Sequence, residues 1–440
     1  MKFYGRTSEI EALRKVREIS YEFARFTVLT GRRRVGKTQL VRHVFDDGAS
    51  PYVHLVITRK VEKVQTAIHQ SECDRVLGWS IHGTCTRFAE LFEELMKESI
   101  NRPFTLVLDE IQEFDRVDDS IFGEVAGVWD KYHDRSKINL VICGSVNRLM
   151  NKIFFDDSQP LYGRNTGKLE LRPFTVSVLK EILSDFKPGY TEDDLLSLWT
   201  ITGGVARYVE LLMEYGACDR TAMVETFFGV VSSFLNEAKT ILSEEFGKDY
   251  GAYFTILAAI ASGHTSYSEI CNLIGSDIGG YLTRLERQYN LIVKTQPIYE
   301  KTGNKNMHYQ IDDCFFRFWF RFVYGYQGMI ELNRIRELRE IVLRDFETFS
   351  GYALERYFRW KFIEDTGYTA IGAWWDRRGE NEIDLVCEDA DGSLDFYEIK
   401  READRISLSK LEAKTLRFFE KNPQLQNRRR KLAGLSMKDM

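Results

Sequence analysis

The sequence contains no apolar run long enough to cross a bilayer, which excludes a helical membrane protein. Its first residues, Met1-Lys2-Phe3-Tyr4-Gly5-Arg6, form no apolar signal segment, so a cytoplasmic location is the expectation. Seven cysteines are scattered without a Cys-x-x-Cys pair, which argues against both a zinc site and a disulfide framework. The seven histidines show no metal-ligand spacing either. Positive charge is not in excess. At a formal net charge of −5, wholesale electrostatic attachment to nucleic acid is not indicated, and any such contact has to use local basic patches. What remains has the composition of a soluble globular protein: 440 residues, 44% hydrophobic and 29% charged. That length accommodates roughly two to four domains, each with its own core.

The strongest pattern present is Gly31-Arg32-Arg33-Arg34-Val35-Gly36-Lys37-Thr38, which satisfies G-x-x-x-x-G-K-[ST] at every fixed position. Phe26-Thr27-Val28-Leu29-Thr30 reads as a buried strand running into it, and Leu40, Val41, Val44 and Phe45 follow at helical spacing. A loop between strand and helix aims backbone N–H groups and the positive end of the helix dipole at an anion. Its glycines let the backbone curl around phosphates without a Cβ clash. Lys37 can reach the β- and γ-phosphates, and the Thr38 hydroxyl can ligate Mg²⁺. The sequence therefore predicts a nucleoside triphosphate site, with ATP and Mg²⁺ as its expected occupants. No second such lobe is present, which argues against a two-lobe helicase.

Upstream, Phe3-Tyr4-Gly5-Arg6-Thr7-Ser8-Glu9 leads into a helix with Ile10, Leu13, Val16 and Ile19 on one face, and Ser8 with Glu11 reads as its capping box. The segment resembles the F-x-G-R-x-x-E start of AAA+ and STAND-type ATPases, which implies that Gly5 and Arg6 flank the adenine. Tyr52–Ile57 is a second strand candidate, and Phe88, Leu91, Phe92 and Leu95 form an apolar helical stripe expected in the core. Phe104–Leu108 is a buried strand ending in Asp109-Glu110, and carboxylates rarely end such a strand without a partner because burying them unpaired is costly. The resemblance implies Asp109 as a Mg²⁺ ligand and Glu110 as the general base that polarises the attacking water. Ile138–Cys143 is a further strand. Ser145, or else Asn147, is placed to reach the γ-phosphate, the position called sensor 1 in AAA+ proteins.

Leu161-Tyr162-Gly163-Arg164-Asn165-Thr166-Gly167 and Gly203-Gly204-Val205-Ala206-Arg207-Tyr208 sharpen the resemblance to archaeal-type ATPases of the AAA+/STAND group. Members carry similar L-Y-G-R-x-x-G and G-G-V-P-x-Y elements; Ala206 stands here where they have proline. The resemblance implies Arg164 as an arginine that stabilises transition-state charge, in cis or from a neighbouring subunit. A surface arginine in a glycine-containing loop is the alternative.

Residues 1–172 are read as the ATPase core, 173–247 as a helical lid and 248–330 as a winged helix. The last of these predicts three helices (around Phe254–Ile260, Tyr267–Ile274 and Ile278–Tyr289) and a hairpin of Leu291–Val293 with His308–Ile311. Tyr281, Arg284 and Arg287, with Lys301 and Lys305 on the wing, can meet a groove and phosphates, although Asp277 and Glu286 disfavour that. Packing inside the protein is the other use of such a module. The aromatic run Phe315–Phe322 is expected in the core.

Residues 331–440 hold a second constellation. Phe346 to Lys361 is helical, with Glu355 off its apolar face. Glu382-Ile383-Asp384-Leu385-Val386 and Asp395-Phe396-Tyr397-Glu398-Ile399-Lys400 read as a hairpin, with Glu398 and Lys400 on one face and Asp384 across from them. Two carboxylates beside one lysine make a hard-cation site next to a cation that can steady developing charge. The order Glu355, Asp384, Glu398, Lys400 resembles the PD-(D/E)xK nuclease core. That resemblance implies Mg²⁺ on Asp384 and Glu398, and phosphodiester cleavage. A nuclease fold kept as a structural unit is the alternative, and Arg428-Arg429-Arg430-Lys431 is either a phosphate grip beside it or a solvated run.

The expected architecture is α/β: a P-loop AAA+ type parallel sheet with a helical lid, a winged helix and a C-terminal α/β nuclease-like domain. The expected function is an ATPase switch coupled to a Mg²⁺-dependent nuclease acting on nucleic acid, DNA first. A homo-oligomer or a regulatory partner is possible, and no membrane is involved. The rivals are a STAND-type signalling protein with a silent nuclease-like domain and a DNA-binding regulator.

Overall fold

The computed structural model describes all residues except 80, 82, 146, 248–249, 301–305, 366 and 378, and gives no side chain for residues 147 and 365. Two compact units make up the chain: Tyr4–Arg172, and Pro173–Met440 together with Met1–Phe3.

In the first unit, α1 (Thr7–Ser20) buries Leu13, Arg17 and Ser20. The predicted Ser8–Glu11 capping box does not form. The Ser8 hydroxyl donates to Glu9 instead (2.9 Å), and the helix starts from Arg6 in the left-handed region (φ 67°). The Arg6 guanidinium, bonded to Glu9 and to the Val35 carbonyl at 3.3 Å each, holds that conformation. There follow β1 (Arg25–Thr30), α2 (Lys37–Phe45), β2 (Tyr52–Val56), α3 (Glu62–Leu77), α4 (Phe88–Glu98) and β3 (Phe104–Asp109). Then come the short α5 (Phe114–Val117), α6 (Ser120–Tyr132), β4 (Ile138–Cys143), α7 (Asn147–Phe155) and β5 (Gly167–Glu170).

The five strands pair in parallel in the order β2-β3-β4-β1-β5. Every residue of β3 and β4 is buried, as their unbroken apolar runs require of strands covered on both faces. Phe26 of β1 anchors one side of the core edge-on to Trp129 and Phe154, at 5.2 and 6.0 Å between ring centres. Parallel pairing brings the loops after β1, β3 and β4 to one edge, and β4 separates the glycine-loop strand from the acid-bearing one.

The second unit begins with α8 (Val176–Phe186), α9 (Glu192–Thr202), α10 (Ala206–Glu214), α11 (Arg220–Phe227) and α12 (Phe234–Phe246). Gly203 ends α9 at φ 58°, and Gly204 (φ 74°) accepts a 2.7 Å bond from the Phe174 amide. A Cβ on Gly204 would lie 2.7 Å from the Phe174 carbonyl oxygen. Gly204→Ala therefore combines left-handed strain with a backbone clash. It is expected to destabilise this unit by at least about 1–2 kcal/mol, read as a fall of several degrees in melting temperature. Ala206 occupies the first position of α10, where a proline would fit without losing a bond.

Next come α13 (Tyr250–Ala261), α14 (Tyr267–Ile274) and α15 (Gly279–Arg287), then an antiparallel hairpin of β6 (Ile292–Thr295) and β7 (His308–Ile311). In α16 (Cys314–Phe322) the aromatic residues are buried, as expected of core. After α17 (Gln327–Glu331), α18 (Ile335–Asp365) runs unbroken for 31 residues, starting well before the predicted Phe346. The chain closes with β8 (Ala370–Trp375), β9 (Glu382–Glu388), β10 (Leu394–Ile399), α19 (Leu408–Lys421) and β11 (Arg430–Leu435). These strands form a mixed sheet in the order β11-β10-β9-β8, parallel only between β10 and β11. α19 packs on it through Leu411 and Phe418 against Trp374, Val386 and Phe396. Arg401, next to Lys400, fastens this sheet to α9 and α18 through 2.6 Å bonds to Asp193 and Ser350.

Candidate nucleotide site and candidate acidic centre

In the first unit, Gly31 enters the loop at φ 143°, and only glycine fits there because a Cβ would lie 2.4 Å from the Leu171 carbonyl oxygen. Gly36 (φ 100°) caps α2, so the helix opens on Lys37. The Lys37 ammonium donates to the carbonyls of Gly31 (2.7 Å) and Arg32 (3.2 Å), folding it over its own loop. Burial depresses its pKa, against the opposing pull of Glu110 and Asp109; Arg33 lies near enough to add to the depression. Arg34 is exposed at φ 72°. Arg6, Arg34 and Glu110 are three of the six non-glycine residues with positive φ among the described residues, so backbone strain concentrates here.

Thr38 Oγ1 donates to Asp109 Oδ2 at 2.8 Å, bringing a hydroxyl and a carboxylate to one point. Burial raises the Asp109 pKa, but hydrogen bonds from His54 and Thr38 outweigh it and hold the carboxyl below its ordinary range. Hard oxygen donors in that state suit Mg²⁺. Glu110 is gripped by Ser145 Oγ (2.9 and 3.2 Å to its two oxygens) and by Gln112. Asn147 begins α7, and its side chain lies outside the described residues. Two members of the site were not foreseen. His54 Nε2 lies 3.3 Å from Asp109 Oδ2, and Gln112 holds Glu110. A polar His in the apolar run Tyr52–Ile57 was the available signal, but it acquires meaning only once β2 is known to pair with β3.

Arg164 is not at this edge. It precedes β5 where Thr166 bonds to Phe26 at the start of β1, a strand length of about 16 Å from the loop after β1. Its guanidinium forks onto Asp130 at 2.9 and 2.6 Å. The parallel register thus takes Arg164 away from its own loop, which leaves either a surface ion pair or contact with a neighbouring subunit. In a monomeric preparation, Arg164→Ala is expected to leave ATP turnover within about twofold and to cost at most about 1 kcal/mol, as for an exposed ion pair. Turnover at dilutions where light scattering reports a monomer tests this.

In the second unit, Asp384 and Glu398 face each other one step beyond the last paired residues of β9 and β10, Leu385 and Tyr397. Lys400 Nζ sits between them, 3.1 Å from Asp384 Oδ2 and 3.2 Å from Glu398 Oε1. Asp384 Oδ2 also accepts the Ile399 amide (2.7 Å), and Lys414 of α19 pairs with Glu398 Oε2 (2.8 Å). Glu355 of α18 joins the group electrostatically: burial first, then Asp384 and Glu382, push its carboxyl up to about 8. Burial also raises Asp384, against the pull of Lys400. In Glu398, by contrast, bonds to Lys414 and the Lys400 charge outweigh burial and keep it low. Among the described residues no three of these side chains converge as a ready metal cage. The donors are hard oxygens of the kind a divalent cation takes, but a cation there would have to displace the ammonium groups of Lys400 and Lys414 from the two carboxylates.

Glu355 has a consequence for stability. Its folded pKa exceeds the ordinary value, so between about pH 5 and 8 the folded state binds more protons than the unfolded one, and stability falls as pH rises. The slope is expected to reach at most about 1.4 kcal/mol per pH unit, and Glu355→Gln should flatten it in denaturant titrations.

One other predicted contact falls elsewhere. β11 runs parallel to β10 from Arg430 beside Leu394, so the basic run lies at the opposite end of the sheet from Lys400, and Arg428 is spent on Glu388 (2.5 Å). This overturns the grip beside the acids. Arg284 lies over the rings of Tyr281 and Tyr253, at 5.0 and 5.8 Å, whereas Arg287 is exposed. Lys301 and Lys305 lie outside the described residues.

Residues 3–212 match a family model described as an ATPase domain predominantly from Archaea. Residues 319–416 match one described as archaeal and bacterial proteins of unknown function. The chain is 28% identical over 420 residues to an uncharacterized protein of Methanocaldococcus jannaschii, covering 90% of this chain and 87% of that one. Among solved structures it resembles the Walker-type ATPase of Pyrococcus abyssi (TM-score 0.53, 20% identity, 72% of this chain and 96% of that one). It also resembles the ORC2 protein of Aeropyrum pernix, whose structure is of ADPNP–ADP complexes (TM-score 0.51, 14% identity, 76% and 96%). At these identities the structural likeness is one of fold.

Proposed function

From an archaeal-type ATPase domain over residues 3–212, we propose that the chain is an ATP-driven switch whose C-terminal sheet cleaves phosphodiester bonds of a nucleic acid. One observation carries the second half: Asp384 and Glu398 converge on the Lys400 ammonium at 3.1 and 3.2 Å, and the Asp384 charge helps to raise the pKa of Glu355 beside them. In the ATPase half, the loop amides and Lys37 bind the triphosphate of ATP. Thr38 and Asp109 would hold Mg²⁺, with His54 orienting Asp109. Glu110, oriented by Ser145 and Gln112, accepts the proton of the attacking water. In the nuclease half, Asp384 and Glu398 would hold Mg²⁺, which supplies Lewis acidity when bound. Lys400 follows the negative charge that develops on the phosphate. Arg164, facing away from its own loop, fits a role in a neighbouring subunit of a homo-oligomer.

A second reading is a regulatory or signalling ATPase whose acidic centre is silent, and the pairing of both carboxylates with Lys400 and Lys414 favours it. Cleavage of labelled DNA and RNA with Mg²⁺, with and without ATP, separates the two. Wild type should nick one of these substrates while Lys400→Ala does not, with ATP turnover equal in both. A wild-type protein that nicks no nucleic acid offered would sink the nuclease half and leave the silent reading.

A further inference from the structure

We propose that a cleft between α16 and α18 binds phosphate groups of a nucleic-acid strand. The cleft has a volume of about 320 Å³ and is lined by Arg317 and Arg321 from α16, by Arg344, Asp345 and Thr348 from α18, and by the turn after α13. Arg317 and Arg321 stand four residues apart on α16, one helical turn, and so share a face; Arg344 and Thr348 do the same on α18. Beneath them the helices are seamed by Phe318, Phe322 and Phe349, whose rings pack at 5.0 and 5.9 Å. That apolar floor fixes the spacing of the guanidinium groups above it. Three arginines and one aspartate leave two net positive charges in this cleft, on a chain whose overall charge is −5.

The arginines are incompletely matched. The Asp345 carboxylate is shared between Arg344 (2.8 Å) and Arg321 (3.5 Å). Arg317 has no carboxylate within ion-pair distance among the described residues, although the Glu355 charge acts on it. It donates one 3.3 Å bond to the Phe349 carbonyl and stacks over the rings of Phe349 and Tyr352. Burial depresses its pKa. A stacked, partly desolvated guanidinium with donors to spare is a good receptor for a phosphate oxygen.

The position of the cleft selects a polymer over a free phosphate. Thr348 and Glu355 are seven residues apart on one unbroken helix, so they lie on nearly the same face, about 10 Å apart along the axis. Measured along a duplex axis, where one strand carries a phosphate about every 3.4 Å, that is about three base-pair steps. A strand held in the cleft would continue along α18 to the acidic centre. The choice of a nucleic acid rests on the phosphodiester reading above; the affinity for phosphate does not.

The test is binding of fluorescein-labelled single-stranded and duplex oligonucleotides to the full chain in EDTA, by anisotropy across a salt series. Arg321→Ala/Arg344→Ala is expected to weaken binding at least tenfold at low salt and to reduce the slope of log K against log salt by about 1.5. Asp345→Asn should tighten binding, a gain that a merely structural role would not produce. Binding is read in EDTA, where no metal-dependent cleavage runs, so a dead nuclease and an absent binding site give different results. Inorganic phosphate, titrated by calorimetry, is the second arm. Phosphate binding lost in the double variant, with no oligonucleotide binding by wild type, would overturn the polymer in favour of a small phosphate ligand. Unchanged affinity and slope in a double variant that melts like wild type would overturn the cleft itself.

Discussion

Lys37→Ala is expected to lower kcat for ATP by about 10²–10³-fold and to reduce nucleotide affinity to a weak residue in a fluorescent-nucleotide titration. The size follows from where Lys37 sits. It is buried at the start of α2, and its ammonium is held on the Gly31 and Arg32 carbonyls, neutral acceptors that a triphosphate outcompetes by charge. Alanine removes the mobile cation and leaves the loop amides, so weak residual anion binding should persist. Folding should survive, because the change also removes the desolvation cost that depresses the Lys37 pKa. A melting temperature within a few degrees of wild type, with ATP no longer raising it, is the outcome that supports the assignment. Wild-type turnover in the variant would exclude it.

If the acidic centre is the proposed nuclease site, Asp384→Asn is expected to abolish its metal-dependent cleavage, a loss of at least about 10³-fold, and to remove any stabilisation of the full chain by millimolar Mg²⁺ or Mn²⁺. Asp384 is the junction of the centre. One of its oxygens takes both the Ile399 amide and the Lys400 ammonium, and its charge is a leading cause of the raised Glu355 pKa. The asparagine keeps the volume while the charge disappears, so Lys400 retains only Glu398. Calorimetric metal binding distinguishes this from general unfolding. If Asp384→Asn binds Mg²⁺ as wild type does, the two-carboxylate site is wrong. ATP hydrolysis serves as the internal control and should be unchanged.

Much of this was legible in one dimension. The glycine loop, the strand into it and the helix out of it follow from local pattern, because phosphate binding there uses consecutive backbone amides. Asp109-Glu110 was legible for a similar reason, as two carboxylates at the end of an otherwise apolar run. In the C-terminal unit the hairpin and its two acids followed from period-2 alternation and a short polar turn. The aromatic helix Cys314–Phe322 was correctly placed in the core, since that many rings cannot be solvated.

What only the tertiary structure decided is which ends of which elements meet. The order β2-β3-β4-β1-β5 puts His54 on Asp109 and Ser145 on Glu110, although neither pair is close in sequence. The same register sends Arg164 to the far end of β1 and the basic run to the far end of β10. Lys414 reaches Glu398, and Arg344 faces Arg321 across a cleft, because α19 and α18 pack where they do. Periodicity reports which face of an element is apolar; it carries no information about strand order, parallel register or which helix covers that face. Those are settled by burial of the whole core at once, and they determine where charges separated by tens to hundreds of residues converge.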